Sequence, residues 1–570
     1  MKKLFNYNYR VLVALALSLS FFACDGDNDG TGGEVEEPPI TNDATAVAFV
    51  KGIVKSVSLG SGGSFTIETL SEGTISFEGD DTADGPLISL FDVQPNNAYV
   101  ESSLWNRHTG VIAQANDAIE QISALQDSVV ANAATGKVLS TANKNLALGG
   151  AYFARGLAYF YLVQIFGEVP IYTSTENASN GVPESVDKVY QQAERDFKKA
   201  EELLPVNTGT KTYPNKYAAQ AILSKAYLTW STVTSRDNAN TPVTADAAKL
   251  ANAVTYADKV ISSAAYQLEE DFLKTQAGRN YKFGKEHILN FSYVLGDARP
   301  GDGGNHQSHC AFSYGFDADP NTEPTHIGPA SYDLYTKWDN ANVHNELDQR
   351  REFSYTTHLA KPGSGKTPDE DSVYVFNPTT GWLPIFGKGI DRTYYEGPLV
   401  GPTERDLDRL EIRYAEVLLI KAEALIESNQ NLSDAKGLIN TVRRRAYQVG
   451  EFAVGNGNGL TPADIEVTAN DQVGLRAALR QERKNEFVYE QKRWLDLIRW
   501  HNLTETVLTV QQYPEYTGTH TPGSFFEKAK KHLQTRVAAV KANPLRYYRL
   551  PIPDAARATN PNLVLDKYYQ

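Results

Sequence analysis

The chain has 570 residues, 41% of them hydrophobic and 22% charged, with 69 acidic against 55 basic side chains and a net charge of −14. That apolar content supplies a large packed core and excludes a disordered chain, while the acidic balance removes the electrostatic footprint that nucleic-acid binding needs. Its two cysteines, Cys24 and Cys310, stand far apart with no CxxC or clustered Cys/His spacing, which disfavours a disulfide framework and a structural zinc site.

Lys2, Lys3 and Arg10 precede an apolar run from Val11 to Phe22, and Ala23 stands directly before Cys24. The run is short for a membrane span and has the order of a secretory signal, so residues 1–23 are expected to be removed. A small residue followed by Cys24 resembles a bacterial lipobox and makes Cys24 the expected lipidation site; an ordinary secreted protein with an incidental cysteine is the alternative. Residues 1–23 carry three basic groups and no acidic ones, so their removal shifts the net charge from −14 to −17. Residues 24–45 open with Asp25, Asp27 and Asp29 among glycines and are expected to be a flexible tether. The remainder, 46–570, is expected to be one domain.

Helical periodicity begins near residue 100. In Asn143–Phe166, Ala147, Ala151, Ala154 and Ala158 form a small-residue stripe beside Phe153, Leu157 and Phe160. Val186 to Leu204 repeats the period and Pro205 stops it; Tyr217–Trp230 and Leu250–Ala264 follow. Helices resume at Ile412–Ile426, Ser433–Ala446 and a long run from Leu475 to Trp500. The predicted class is mostly α, with degenerate tetratricopeptide-like helical repeats over about 100–265 and 405–510. Between about 266 and 405 the period is lost amid glycine and proline, which predicts an irregular, loop-rich insertion containing short strands. Such insertions on a rigid scaffold are where binding usually sits.

Glu482, Glu486 and Glu490 lie four apart and could supply paired carboxylates for glycoside hydrolysis. Arg480, Arg483, Lys484, Lys492 and Arg493 are interleaved with them, so charge pairing along one continuous helix is the expected role. No HExxH, GxSxG, Walker A or GxGxxG motif occurs, and His306 and His309 lack an identifiable third ligand. No catalytic residue or cofactor is therefore expected, and whether a metal such as calcium is bound is not fixed by the sequence. Sugar rings present flat C–H faces with hydroxyls at the rim, and a binder of them needs exposed aromatic planes beside amide or carboxylate groups. The insertion offers Tyr314, Phe316, Tyr335, Trp338 and Trp382, and the loop before the first long helix offers Asp92, Asn96, Asn97, Tyr99 and then Trp105. A core position is the competing reading for each aromatic, above all Trp105 and Trp338.

Several runs resemble the SusD/RagB family of outer-membrane nutrient-binding lipoproteins. RGLAYFYLVQIFGEVP from Arg155 to Pro170 looks like its R-A-xx-Y helix ending in G-xx-P, and RYAEVLLIKAEA from Arg413 to Ala424 is nearly letter for letter. RQERKNEFVYEQKRWLDLIRW from Arg480 to Trp500 resembles its ER-xx-EF…RW-xDL segment; Pro551-Ile-Pro553 and Asn560-Pro-Asn562 resemble its closing elements, and Trp105 with Asn116 its early helix. Where the family commonly closes on Gln-Asn, this chain has Leu565-Asp566. The resemblance implies a helical, repeat-containing lipoprotein on the outer membrane, facing the cell exterior. It would act as a hinged lid on a SusC-like TonB-dependent transporter and capture oligosaccharides, or in some members peptides, for import. It also points to the two stretches named above as the ligand site, and the acidic residues after Cys24 resemble the family's surface-export signal. An exported helical glycosidase and a protein-binding scaffold are the rival classes.

Overall fold

A helix begins where a side chain can serve the unpaired N–H groups of its first turn. Asn42 does so for α1 (Asp43–Ser56), accepting from Thr45 N at 3.1 Å. The computed structural model describes residues 40, 42–70, 84–125, 127–128, 139–176, 180–234, 236–275, 284–291, 344–356, 358–360, 372–375, 385–386, 408–454, 458–510 and 525–570. The signal segment, Cys24, Tyr314, Phe316, Tyr335, Trp338, Trp382, His306, His309 and Cys310 lie outside the described residues. With α2 (Gly60–Thr69) and α3 (Asp84–Ser89), α1 places helix well before residue 100, and α1 starts inside the stretch expected to be tether. A π-helical segment (Tyr99–Asn106) then runs directly into α4 (Arg107–Ala124).

The repeat helices follow the expected periods: α5 (Thr141–Ile165), α6 (Val186–Leu203), α7 (Lys216–Trp230) and α8 (Ala247–Ser262). Each packs on the next, and α1 and α4 cover α5. Helix α5 is apolar and long enough to cross a membrane, yet 83% of that stretch is buried among its neighbours, as suits a core helix. Its glycines allow close approach: a Cβ on Gly156 would stand 3.0 Å from Asp196 Cβ and the Phe197 ring of α6. Beside it Arg155 grips Asp196 with two hydrogen bonds of 2.9 and 2.7 Å and reaches Asn116 of α4 at 2.7 Å.

Strand β1 (His287–Phe291) pairs antiparallel with β2 (Arg409–Arg413), joining His287 to Arg413 and Phe291 to Arg409. The expected insertion thus leaves and rejoins the scaffold through neighbouring strands. Within it lie α9 (Gln349–Ser354) and two short antiparallel pairs, Tyr355–Thr356 with Ile385–Phe386 and His358–Ala360 with Ser372–Val375. Ile412, expected in a helix, belongs to β2 instead: α10 starts at Tyr414 and runs to Glu427. It packs on α8 and on α11 (Leu432–Ala446), and α12 (Pro462–Ile465) and α13 (Gln472–Glu486) follow.

The expected continuous helix from Leu475 to Trp500 is broken. Helix α13 ends at Glu486, Tyr489 and Gln491 take φ of 59° and 55°, and α14 (Arg493–Arg499) begins as a separate helix. Positive φ is costly for side-chain-bearing residues and persists only where surrounding contacts fix it. Then come α15 (Leu503–Val510), α16 (Phe525–Ala542) and α17 (Asp554–Thr559). One apolar core includes residues from Ile40 to Leu563, and a second cluster lies under α10, α11 and α13.

Candidate functional site

The loop between α3 and the π-helical segment is built from inside. Asn97 is buried, accepts from Tyr99 N and Val100 N at 3.1 and 3.2 Å, and donates to Asp84 O at 3.0 Å. Its amide therefore caps the helix start. Trp105 is also buried, set edge-on to Phe166 with ring centres 5.1 Å apart. Of the five candidate residues here, Asn97 and Trp105 are engaged in the protein's own packing, whereas Asp92 and Asn96 are exposed and Tyr99 is 38% exposed. Burial of part of its ring, and then the Asp84 carboxylate, raise the Tyr99 phenol above its ordinary pKa, so it stays a neutral hydroxyl.

The C-terminal segment braces this loop. Arg546 Nη2 donates to Val93 O at 2.9 Å, Asp554 N donates to Pro95 O at 3.0 Å, and the Tyr547 hydroxyl donates to Phe91 O. Phe91 itself has φ of 60° and is held edge-on against Tyr547 under the guanidinium of Arg536. A buried aromatic in the left-handed region is strained, and here Tyr547 and Arg536 of the C-terminal part hold it in place. The sequence offered no period or motif linking Arg546 and Tyr547 to residues 91–95; their place just before the Pro551-Ile-Pro553 element was the available signal.

The acidic row sits at the root of the insertion. Glu486 faces Arg350, Arg413 and Arg445; Glu490 takes two hydrogen bonds of 3.0 Å from Arg413; Glu482 meets Arg350, and Arg443 at 3.1 Å. Glu286, just before β1, joins Arg413 and accepts from Arg445 at 2.9 Å. All three acids of the row are buried. The expected pairing holds in kind and differs in place: the partners come from β2, α9 and α11 rather than from the same helix face. Burial raises the Glu482 carboxyl, against the pull of Arg350 and Arg443. Carboxylates sealed among guanidiniums have no path to a glycosidic bond.

Ser89 Oγ lies 3.0 Å from His532 Nε2, but both are buried, and burial with Arg536 nearby lowers His532 to about 3. Such an imidazole is a poor general base at neutral pH. Among the described residues no group of three or more His, Cys, Asp or Glu is arranged to hold a metal ion.

Residues 327–569 match the model of the SusD family, and residues 89–228 match a related model described as starch-binding associating with outer membrane. The chain belongs to the SusD/RagB family. A SusD-like protein P2 of Formosa agariphila is 27% identical over 468 residues, covering 79% of this chain and 82% of that protein. A SusD homolog of Bacteroides thetaiotaomicron superposes with a TM-score of 0.72 at 21% identity, over 95% of this chain and 99% of that one. A laminarin-binding SusD-like protein superposes with a TM-score of 0.63 at 19% identity, over 92% and 98% of the two chains. As a SusD/RagB protein the chain falls in a glycan-binding family associated with the outer membrane. The motif residues behind this assignment are structural: Arg155 ties three helices, Leu550 N donates to Ile165 O at 2.7 Å, and Asn560 donates to Gly181 O at 2.9 Å.

Proposed function

We propose that this SusD/RagB protein captures oligosaccharides at the outer cell surface and hands them to a partner SusC-like TonB-dependent transporter, held to the outer membrane by lipid on Cys24. The observation that carries the reading is that the match described as starch-binding spans residues 89–228, and so includes the loop presenting Asn96 and Tyr99. That loop is rigidly braced, and an aromatic ring flanked by an amide is the chemistry a sugar face requires. The ligand site is assigned to this loop together with Tyr314, Phe316, Trp338 and Trp382 of the insertion, and the protein acts by binding rather than hydrolysis. The burial of Glu482, Glu486 and Glu490 supports the absence of glycosidase chemistry on that row.

Calorimetric titration with a panel of starch, fructan and β-glucan oligosaccharides tests the assignment. Tyr99→Ala, Tyr314→Ala and Trp382→Ala should each weaken binding with the melting temperature unchanged. A central stacking ring is worth about 2 kcal/mol, close to a thirtyfold change in Kd. Trp105→Ala should instead lower the melting temperature. Unchanged affinity in all three ring variants would move the site elsewhere, and product release from the panel would make the protein an enzyme. Cys24→Ala should shift the protein from the membrane to the soluble fraction.

A further inference from the structure

Between the repeat helices and α13–α14 lies a small cavity lined by Gln164, Lys225, Glu416, Arg483, Lys492 and Asp496, with apolar neighbours. About 10 Å³ of it is open to the centre of a water-sized molecule, the space of a single water. Glu416 is fully buried, with Lys225 Nζ 3.2 Å from one carboxylate oxygen and Lys492 Nζ 3.1 Å from the other, contacts that leave further lone pairs of the carboxylate unused. Arg483, 3% exposed, donates from Nε and Nη2 to Asp496 at 2.9 and 3.0 Å, which leaves Nη1 without an acceptor. Leaving such groups unsatisfied in the interior is costly, and native proteins rarely do so.

We propose that this cavity is a hydration site for one ordered water, which donates to the Glu416 carboxylate and accepts from Arg483 Nη1. A halide would also fit by size, and the cations lining the cavity, Lys225, Lys492, Arg483 and Arg499, outnumber the carboxylates Glu416 and Asp496. Charge is largely restored by Glu423, which accepts from Arg499 Nη2 at 2.8 Å. Hydrogen bonding then decides, because a halide has no proton to give and would stand against the Glu416 carboxylate, whereas water satisfies acceptor and donor together. The site belongs to the support of the insertion: Lys492 Nζ also donates to Glu411 O of β2 at 2.6 Å, and the Glu411 carboxylate accepts from Tyr161 of α5 at 2.6 Å. The water would close a polar chain from repeat helix α7 to the strand by which the insertion returns.

The test is a crystal structure of the full chain grown with bromide in place of chloride and recorded at the bromine absorption edge. The expected result is one density peak within about 3 Å of Glu416 and Arg483 Nη1 and no anomalous signal there. An anomalous peak in the cavity overturns the proposal in favour of a halide. Absence of any density, in a map that shows other buried waters, overturns it outright. Glu416→Gln should retain the peak and Glu416→Leu should lose it; persistence of the same peak in the Leu variant would also count against the assignment. If the Leu variant fails to fold, the unaltered protein and the Gln variant still decide.

Discussion

The two halves of the scaffold are held together by different physics. Helices α5 to α8 meet through alanines, glycines and aromatic rings, edge-on between α5 and α6 and stacked from α6 to α8, with Arg155–Asp196 as a buried ion pair between α5 and α6. Around β2, α10, α11, α13 and α14 the interior is ionic: Arg350, Arg413, Arg445, Arg483 and Arg499 are matched by Glu286, Glu423, Glu482, Glu486, Glu490 and Asp496. Apolar surfaces of similar volume tolerate small shifts, whereas buried charges accept only arrangements that satisfy every partner. The ionic half is also the half that carries β2 and α9, so the geometry of the insertion's root is specified by charge.

The sharpest way to break this contrast is to remove one charge from the centre of the ionic half. Glu486→Gln leaves Arg350, Arg413 and Arg445 short of a carboxylate and should cost about 3–5 kcal/mol, read as a lower denaturant midpoint. A loss below about 1 kcal/mol would mean that the cluster is already open to solvent.

Acid should separate the two halves by pH window. Burial holds His108, packed on Tyr161, at about 4 despite its hydrogen bond to Leu104 O. Its folded pKa lies below 6.5, so between 6.5 and 4 the unfolded chain binds the proton that the folded chain refuses, and stability falls as pH falls through that range. Glu416 and Asp496 differ. Burial works against their charge, yet Lys225, Lys492 and Arg483 around Glu416, and Arg483 and Arg499 around Asp496, hold both at about 2. Their contribution is fully present above the ordinary carboxylate range and is lost progressively as pH falls from there to about 2. His108→Gln should flatten the upper part of a stability-against-pH curve by a few kcal/mol and leave the lower part in place; an unchanged upper part would show that His108 titrates normally.

In the apolar half, Gly156→Ala should cost about 1–3 kcal/mol, because the new methyl meets Asp196 and Phe197 of α6 at 3.0 Å. A neutral result would show that α5 and α6 can separate freely. At the surface, the exposed pair Lys188–Glu184 should matter least: Lys188→Ala is expected to change stability by about 0.5 kcal/mol or less, and a larger thermal shift would refute its peripheral role.

The same contrast explains what was legible in the sequence. The apolar half follows local periods, and α5, α6, α7 and α8 stand where the spacing of small and bulky residues places them. The ionic half does not. Glu482, Glu486 and Glu490 keep four-residue spacing straight through the interruption of the helix at 487–492, because Glu490 is drawn to Arg413 of β2 and no local rule contains that partner. Strand β2 is buried at all five positions, so it lacks the alternation that marks a half-exposed strand, and Ile412 joined the helical stripe beside it. Helix α2 carries Gly60, Gly62 and Gly63, which weaken the helical signal, and it falls before residue 100, where the expected periodicity begins. At the candidate site Asn96 and Tyr99 were legible as polar and aromatic loop residues; that Asn97 and Trp105 face inward depends on Asp84 and Phe166, which no spacing connects to them.

Because β1 and β2 are hydrogen-bonded neighbours, the 292–407 segment leaves and rejoins the scaffold side by side, and Arg350 of α9 ties it again to Glu482 and Glu486 of α13. The entropy of closing a loop grows only slowly with its length once its ends are fixed together. Specificity could therefore diverge by exchange within that cassette, with insertions and deletions absorbed away from β1, β2 and Arg350, whose ties to the helical frame are kept. A chimera that transplants a relative's segment between Phe291 and Arg409, with an arginine retained at the place of Arg350, is the natural unit for redesigning what such a protein recognises.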